Sequence, residues 1–263
     1  MPKRVPAVFP AAWRFPAGAH ATFAPNAIVA SDNRLAAEAG AQVMKQGGNA
    51  VDAAVATGFA LAVTFPEAGN LGGGGYMVIR MADGRADALD YRETAPLAAT
   101  RDMYVGANGK LTGESTIGPK ASGVPGAVAG LIEAHRKYGA LPIEKVLAPA
   151  IRLATEGFTV DSTLFSSLSD EKYRISGFAG QSVFLPGGSP PPIGSRLVQP
   201  QLARTLKLIA DSGSRVFYRG SIADSIAVWS ALTIVGSGTS SRAAGARSGL
   251  ASRLNHMSTS TPL

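Results

Sequence analysis

Apolar residues recur at helical spacing near the N-terminus and define one stripe along the chain: Leu35, Ala39, Val43. The residues between them are mostly polar, a pattern typical of an amphipathic helix with one face turned towards a core. Ser31 or Asp32 is expected to cap the first turn, and Asp32 and Asn33 both have the short polar side chains of capping residues. The helix is predicted to end at about Gln46, where two glycines follow.

A second helix is predicted directly after the first, and its pattern is apolar on nearly every side. Asn49 is the expected N-cap, and Asp52 stands three residues later, in the position of a capping box. Alanine and valine dominate Val51–Val63, so this helix is expected to be buried in the core. Pro66 is expected to stop it.

The periodicity then changes from helical to alternating, which predicts a β-hairpin. Tyr76–Met81 and Ala86–Arg92 are the two expected strands, and Asp83-Gly84 between them is a strong turn signal. Side chains alternate with a period of two, so one face of the second strand carries small residues and ends in an arginine: Ala86, Ala88, Asp90, Arg92. The opposite face carries the remaining side chains: Asp87, Leu89, Tyr91.

A run of four glycines, Gly72–Gly75, precedes this hairpin. We predict that it brings the backbone to a crowded place where no Cβ atom fits, in preference to a phosphate-binding nest, because a strand follows and no P-loop lysine does. Arg92 is a candidate carboxylate-binding residue, because a guanidinium can pair with both carboxylate oxygens at once. Taken without wider context, an exposed charge in a weak surface pair is the stronger interpretation of Arg92. Asp90 is interpreted as a structural partner rather than a general base.

The rest of the chain is predicted to be mostly helical, with long loops. Residues 100–123 are polar and turn-rich, typical of a surface excursion, and residues 187–192 (GGSPPP) cannot form a helix or a central strand. Helices are expected after several start signals: Val124–Gly126 to about Tyr138, Pro142 to Thr155, Asp161 to about Tyr173, Val198 to Ala210, Gly220 to about Trp229. From Ser230 onward there is no amphipathic period and no acidic residue, which predicts disorder.

Composition narrows the class of protein. Hydrophobic residues make up 46% of the 263 positions and charged residues 16%, which indicates a globular chain of one large domain or two small ones. There is no cysteine, so a disulfide framework, a thiolate nucleophile and a cysteine zinc site are excluded. His20, His135 and His256 are far apart in the sequence, and neither a metal nor another cofactor is predicted.

The net charge of +7 would suit a polyanionic partner. However, the basic residues are scattered, no run of lysine and arginine exceeds a pair, and no nucleic-acid-binding module is recognisable. A solvated basic surface is therefore favoured over nucleic-acid binding. No membrane span is predicted either, because no apolar segment approaches the roughly 20 residues that a span requires.

The first 25 residues are predicted to be an irregular lead-in. Lys3 and Arg4, with small residues around His20, have some features of a signal peptide, but prolines interrupt the apolar core that export requires. A cytoplasmic location is therefore favoured, while a periplasmic or extracellular location stays open.

Several longer segments together resemble the large-subunit region of the γ-glutamyltranspeptidase family. They are ASDNRLAAEAGAQVMKQGGNAVDAAVAT at 30–57, LGGGGYMVIR at 71–80, LDYRETAP at 89–96, TRDMY at 100–104 and SGVPGAVAGLIEAHRKYG at 122–139. The resemblance runs from about Asn26 to about Ala227. It divides the chain into a lead-in (1–25), a family-like region (26–228) and an atypical tail (229–263).

This resemblance implies an N-terminal-nucleophile hydrolase of the α/β (α+β) class, whose four-layer αββα sandwich is incomplete in this chain. Family members cleave themselves and free a threonine at the start of a small subunit, and its hydroxyl attacks γ-glutamyl amides such as glutathione. The resemblance implies that Arg92 binds the α-carboxylate of the γ-glutamyl group and that Glu93 helps to orient it. We find no counterpart of the small subunit, and Thr233 and Thr239 lack a family-like cleavage context.

The function implied is that of a γ-glutamyltransferase and glutathione hydrolase, with the chain alone predicted to be inactive as an incomplete large subunit. A shifted reading frame or a truncated gene would give such a pattern. A first alternative is a non-catalytic fragment or truncated pseudoenzyme that retains γ-glutamyl or amino-acid binding. A second is a fragment that does not fold alone, because the hairpin would expose unpaired strand edges.

Overall fold

A computed structural model describes residues 23–234, which combine helices with a few short strands. The helices are α1 Arg34–Lys45, α2 Ala50–Thr64, α3 Ala127–Tyr138, α4 Ile143–Glu156, α5 Ser162–Asp170, α6 Lys172–Ile175, α7 Gln181–Phe184, α8 Pro200–Ser212, α9 Arg215–Arg219 and α10 Ser221–Ile234. The strands are β1 Tyr76–Arg80, β2 Ala86–Asp90, β3 Phe158–Thr159 and β4 Arg196–Leu197. β1 pairs with β2 and β3 with β4, both antiparallel.

The main hydrophobic core is built around α2, as its apolar pattern predicts. Helices α1, α3 and α4 contact α2, and α8 packs against α4. Phe59 of α2, Leu147 of α4 and Leu206 of α8 are fully buried. Burial of a side chain of this size contributes about 1.5–3 kcal/mol, so these helices carry much of the apolar stabilisation of the fold.

The N-terminus of α2 is fixed by the predicted capping box. Asn49 accepts the N–H groups of Val51 and Asp52 at 2.9 and 3.0 Å, and the Asp52 carboxylate accepts the Asn49 N–H at 2.9 Å. Asp52 is fully buried, also accepts the Ala140 N–H at 3.0 Å, and lies 3.6 Å from His135 Nε2. Asp52 and His135 therefore join α2 to the connection between α3 and α4.

The cap of α1 is Asn33, one of the two residues interpreted as caps, and neither Ser31 nor Asp32. Asn33 Oδ1 accepts the N–H groups of Leu35 and Ala36 at 3.0 and 3.2 Å. Asn33 directly precedes the helix in extended backbone, so its short side chain reaches the second and third helical N–H groups.

The buried face of α1 is set by a close approach to α2. A Cβ atom on Gly40 would lie 2.3 Å from Thr57 Oγ1 and 2.9 Å from the carbonyl oxygen of Ala53. The buried residues of α1 are accordingly small: Ala36, Ala39, Gly40, Val43. Leu35, expected on this stripe, is only partly buried, because the approach at Gly40 turns Ala36 towards α2 instead.

The predicted hairpin forms between β1 and β2, with Tyr76 opposite Asp90 and Arg80 opposite Ala86. Its turn includes Gly84 at φ +91°, a conformation that favours glycine. One face packs against the core through three side chains: Met77, Ile79, Leu89. The other face is exposed, as Val78 shows with 85% of its surface accessible. The small residues of β2 lie on this exposed face, as the alternation predicts.

The C-terminal helices largely follow their predicted starts. Asp161 caps α5 by accepting the Leu164 N–H at 2.8 Å, and Pro200 lies in the first turn of α8. Helix α10 runs to Ile234, beyond the predicted end near Trp229. Segment 230–234 contains no glycine or proline, so nothing in it interrupts the helical backbone.

Part of the sequence analysis concerns residues outside the described range. These are most of the lead-in (1–22), which includes His20, and the tail from residue 235, which includes Thr239 and His256. Within residues 23–234, no helix has the length and apolarity needed to cross a bilayer. In the same range, histidine, aspartate and glutamate side chains form no group of three that could hold a metal ion.

Candidate functional site

The candidate site is the irregular segment that follows β2 and ends at an isolated bridge, Tyr91–Thr94, which we call the arginine turn. Arg92 lies two residues beyond the last strand residue, Asp90, rather than within the strand as its alternation predicts. Tyr91 still exchanges backbone hydrogen bonds with Gly75, at 2.9 and 3.3 Å, so the Arg92 N–H points away from β1. The Asp90 carboxylate accepts this N–H at 3.0 Å, a local bond within the segment. Asp90 is therefore the structural partner that its position predicts.

Arg92 and Glu93 form an ion pair at the surface. Arg92 Nη2 lies 3.3 Å from Glu93 Oε2, and the side chains are 56% and 28% exposed. An exposed pair of this kind contributes little to stability. The Arg92 guanidinium remains accessible to a ligand carboxylate, with the Glu93 carboxylate beside it.

Glu93 Oε2 is buried and accepts no hydrogen bond from the part of the chain that the structure describes. A buried carboxylate oxygen without a hydrogen bond carries a desolvation penalty of about 1–3 kcal/mol. The nearby guanidinium offsets part of that penalty. The structure thus holds an acceptor in place beside Arg92, although that acceptor completes no hydrogen bond among residues 23–234.

The backbone of the arginine turn is enclosed by two glycines from different segments. A Cβ atom on Gly74 would lie 2.4 Å from the carbonyl oxygen of Tyr91 and 2.8 Å from Arg92 Cα. A Cβ atom on Gly126 would lie only 1.9 Å from that same carbonyl oxygen. All three distances are shorter than a real Cβ atom allows, so the turn is packed backbone against backbone.

The Tyr91 side chain anchors the turn on α3. A Cβ atom on Gly130 would lie 2.1 Å from Tyr91 Cγ, so the ring rests directly on the helix. Burial raises the pKa of the Tyr91 hydroxyl, which donates to the carbonyl oxygen of Tyr76 at 3.4 Å. This anchoring fixes the residue directly before Arg92.

The far end of the turn is held by an isolated antiparallel bridge. Thr94 N–H donates to the Val124 carbonyl oxygen at 3.2 Å, and Val124 N–H donates to that of Thr94 at 2.8 Å. Gly123 lies against Glu93, since a Cβ atom there would be 2.9 Å from Glu93 Cβ. The surface excursion predicted over residues 100–123 therefore leaves and returns beside the site.

The glycine run Gly72–Gly75 only partly matches its prediction. Gly74 is crowded by backbone and Gly75 by the Tyr91 ring, with a nearest distance of 3.0 Å. The predicted crowding is wrong at Gly72, because a Cβ atom there would lie at an ordinary 3.5 Å from its nearest neighbour, Asn70 Oδ1. The reason is that Gly72 lies before the point where the chain passes under the arginine turn.

Gly126 and Gly130 were not identified from the sequence, although both define the site. Their signal is a pair of glycines four residues apart at the start of a predicted helix, which places both on one helix face. Glycine is unfavourable inside a helix by about 1 kcal/mol relative to alanine. Such a pair therefore indicates that another segment lies against that face.

Several relatives are known for this chain. Residues 36–231 match the family model described as Gamma-glutamyltranspeptidase. Glutathione hydrolase proenzymes from Pseudomonas sp. (strain A14) and Escherichia coli (strain K12) are 47% and 44% identical over 209 and 211 residues. These matches cover 77% and 79% of this chain but 36% of each relative, so the chain spans about a third of their length.

Solved structures give the same assignment. Helicobacter pylori gamma-glutamyltranspeptidase superposes with a TM-score of 0.80 at 36% identity, covering 89% of this chain and 65% of that chain. The Pseudomonas nitroreducens enzyme complexed with L-DON gives 0.73 at 42% identity, covering 80% and 62%. A cephalosporin acylase from Bacillus halodurans gives 0.74 at 32% identity, covering 84% of this chain and 42% of that one.

Proposed function

The chain belongs to the γ-glutamyltranspeptidase family, and we propose that it forms the carboxylate-binding part of an active site for γ-glutamyl transfer and glutathione hydrolysis. The observation that carries this proposal is the accessible Arg92 guanidinium on a turn packed between Gly74 and Gly126. A rigid backbone favours ligand binding, because little conformational freedom is lost when the ligand arrives.

In this proposal Arg92 pairs with the α-carboxylate of the γ-glutamyl group. The planar guanidinium can donate two parallel hydrogen bonds to one carboxylate, which fixes both the position and the orientation of the ligand. Glu93 orients the guanidinium through the 3.3 Å contact between Glu93 Oε2 and Arg92 Nη2. Removal of Glu93 would leave Arg92 charged but free to rotate.

The nucleophile comes from the remaining part of the family's chain. A threonine hydroxyl attacks the γ-carbonyl carbon and passes its proton to the threonine's own α-amine, after which the amide C–N bond breaks. The leaving amine takes the proton, and water or an acceptor amine then releases the γ-glutamyl group from the acyl-enzyme. The role of this chain is to hold the substrate's other end during both steps.

The architecture proposed is a four-layer αββα sandwich that the rest of the family's chain completes. The exposed hairpin face supports this, with Tyr76 69% and Val78 85% accessible. Large apolar side chains this exposed on a strand are normally covered by another element, although this face also carries Arg80 and Asp90 at its ends. We divide the chain into a lead-in (1–25), the family-like region (26–228) and a tail (229–263).

The substrate class is a γ-glutamyl amide. The names of the glutathione hydrolase proenzymes support glutathione itself. Another relative, from Pseudomonas sp. (strain V22), is named Acylase ACY 1 proenzyme, a name that specifies no acyl group. Arg92 favours an acyl group that carries a free carboxylate, because an apolar acyl group would offer no acceptor to the exposed part of the guanidinium.

The decisive experiment measures hydrolysis of a chromogenic γ-glutamyl anilide. The purified chain alone is expected to be inactive, and the chain supplied with the remaining segment of a relative is expected to be active. In that active protein, Arg92→Ala should reduce kcat/KM by about 30- to 1000-fold, the equivalent of 2–4 kcal/mol of transition-state binding. The kcat/KM of Arg92→Lys should lie between those of the unmodified protein and Arg92→Ala, because an ammonium cannot pair with two oxygens in one plane.

Arg80→Ala is the matched control, since Arg80 is an exposed arginine at the opposite end of the same hairpin. This variant should keep its kcat/KM within about twofold. Turnover by the chain alone that disappears in Arg92→Ala would contradict the need for a second segment. Equal activity of Arg92→Ala and Arg80→Ala would contradict the carboxylate-binding role.

A further inference from the structure

The N-terminus of α3 has no capping side chain of its own. Its N-cap residue is Gly126, where a Cβ atom would lie 1.9 Å from the Tyr91 carbonyl oxygen. The arginine turn therefore excludes serine, threonine, aspartate and asparagine, the usual N-cap residues, from this position. Since the first N–H groups of a helix have no intrahelical partner, acceptors for them must come from other segments.

Two distant groups supply these acceptors. The carbonyl oxygen of Gly73 accepts the N–H groups of Gly126 and Ala127 at 2.8 and 2.9 Å. The Tyr218 hydroxyl of α9 accepts the N–H of Ala129 at 3.1 Å. A single tyrosine oxygen thus performs the role that a capping side chain normally has.

The same hydroxyl also binds the residue before the helix. It donates to the Pro125 carbonyl oxygen at 2.9 Å, so it bridges Pro125 and Ala129 across the first turn of α3. Tyr218 is 4% exposed, and its ring packs edge-on against Phe217 with centroids 5.1 Å apart. Burial raises the pKa of Tyr218 to about 12, so the hydroxyl keeps the proton that it donates.

We propose that Tyr218 is a positioning residue for Arg92, acting through the first turn of α3. The chain of contacts is continuous, because Tyr218 fixes residues 125–129, and Gly126 in that turn lies directly on the Tyr91 and Arg92 backbone. The part of this inference that concerns catalysis rests on the proposed function of Arg92.

The first test is the NMR spectrum of the chain labelled with 15N-arginine. Tyr218→Phe removes one oxygen and keeps the ring, so the core packing of α9 is preserved. The backbone and Nε resonances of Arg92 are expected to shift, while those of Arg34 and Arg152, which lie on α1 and α4, stay in place. Tyr173→Phe is the matched control, because Tyr173 is 84% exposed and should move none of them.

Hydrogen exchange distinguishes positioning from simple helix capping. In Tyr218→Phe the Ala129 amide should exchange about tenfold faster, as loss of one hydrogen bond predicts, and the Thr94 amide should accelerate with it. Faster exchange at Ala129 with unchanged Arg92 resonances and Thr94 exchange would overturn the proposal, because Tyr218 would then only cap α3.

A measurement on the unmodified chain covers the case in which Tyr218→Phe does not fold. Hydrogen exchange is measured under native conditions at increasing urea concentrations. The free energies of exchange of the Ala129 and Thr94 amides are expected to converge on one value, that of a shared opening reaction, before global unfolding. Two separate opening reactions would overturn the proposal.

Kinetics of the active protein, assembled with the remaining segment, then tests the consequence for catalysis. Tyr218→Phe should raise KM for the γ-glutamyl anilide about tenfold and should add nothing further in an Arg92→Ala background. Equal effects in both backgrounds would show a general structural role and overturn the proposal. If Arg92→Ala itself has no effect, the proposed function fails, while the spectra still decide whether Tyr218 positions the turn.

Discussion

The helical core and the arginine turn are held in shape by different means. In the core, α2, α4 and α8 meet through large apolar side chains, and Leu147 and Leu206 are fully buried. In the turn, close contacts are made by backbone atoms, and the neighbouring positions are glycines such as Gly74 and Gly126. The part of the core between α2, α4 and α8 is therefore specified by side-chain volume, whereas the arginine turn, like the α1–α2 contact at Gly40, is specified by the absence of side chains.

This difference separates the residues that stabilise the protein from those that define its site. A core position can exchange one apolar residue for another of similar volume at a cost below about 1.5 kcal/mol. A crowded glycine has no comparable substitute, because every other residue adds at least one carbon. Arg92 is neither a buried core residue nor a crowded glycine, since its side chain is more than half exposed.

The largest expected effect is in the core. Leu147→Ala should lower the free energy of unfolding by about 3–4 kcal/mol, because it removes buried carbon atoms and leaves a cavity. Leu111→Ala, the same change at a side chain that is 81% exposed, should change it by less than about 0.5 kcal/mol. Urea denaturation followed by circular dichroism measures both, and similar values would contradict the assignment of the core to α2, α4 and α8.

A change of a single carbon should be nearly as damaging at the turn. Gly126→Ala places a Cβ atom 1.9 Å from the Tyr91 carbonyl oxygen, and we expect a loss of about 2–3 kcal/mol from the displacement of two backbones. Gly113→Ala is the control, because nothing lies within 4 Å of a Cβ atom there, and it should stay within about 0.5 kcal/mol. An unchanged free energy of unfolding in Gly126→Ala would refute backbone packing at the turn.

A smaller effect is expected where the hairpin is attached to α3. The Tyr138 hydroxyl donates to Asp87 Oδ2 at 2.7 Å, and this bond, with Lys137 nearby, lowers the pKa of the Asp87 carboxyl. Tyr138→Phe should therefore lower the free energy of unfolding at pH 7, but by less than Gly126→Ala does. Urea denaturation at pH 7 and at pH 3 measures this cost and its pH dependence.

The lowered pKa of Asp87 fixes the direction in which its stabilising contribution changes with pH. A carboxyl whose pKa is lowered on folding stabilises fully above its unfolded pKa of about 3.9, and this contribution is lost as pH falls through the folded value. The difference in unfolding free energy between wild type and Tyr138→Phe should therefore narrow below about pH 4. A difference that stays constant down to pH 3 would mean that Asp87 is not the partner that matters. Tyr173→Phe should show no pH-dependent difference.

Features with a local cause could be predicted from the sequence. The capping box of Asn49 and Asp52 spans four residues, and the hairpin follows from a period of two and one turn signal. The apolar pattern of α2 also predicted its burial. Each of these depends on residues that are neighbours in the chain, so propensity and spacing contain the information.

Features that depend on distant contacts could not be predicted. Tyr218 and Ala129 are 89 residues apart, and nothing in the spacing of either residue points to the other. The crowding at Gly126 arises from the carbonyl oxygen of Tyr91, a group that every residue carries and no sequence pattern marks. Arg92 was found through the family resemblance of LDYRETAP, whereas its own pattern favoured an ordinary surface charge.

The smallest expected effect on stability falls on the residue with the largest proposed role. Arg92→Ala should change the free energy of unfolding by less than about 0.5 kcal/mol, because the Arg92 side chain is 56% exposed and its 3.3 Å contact with the buried Glu93 Oε2 is an ion pair without a hydrogen bond. Urea denaturation of Arg92→Ala beside Gly126→Ala measures this contrast directly. A loss above about 1 kcal/mol in Arg92→Ala would show that the ion pair is structural, and any loss of activity in that variant could then follow from misfolding. An unchanged unfolding curve excludes misfolding as the cause of any loss of activity in Arg92→Ala, because the enclosing glycines keep the turn in place without the guanidinium.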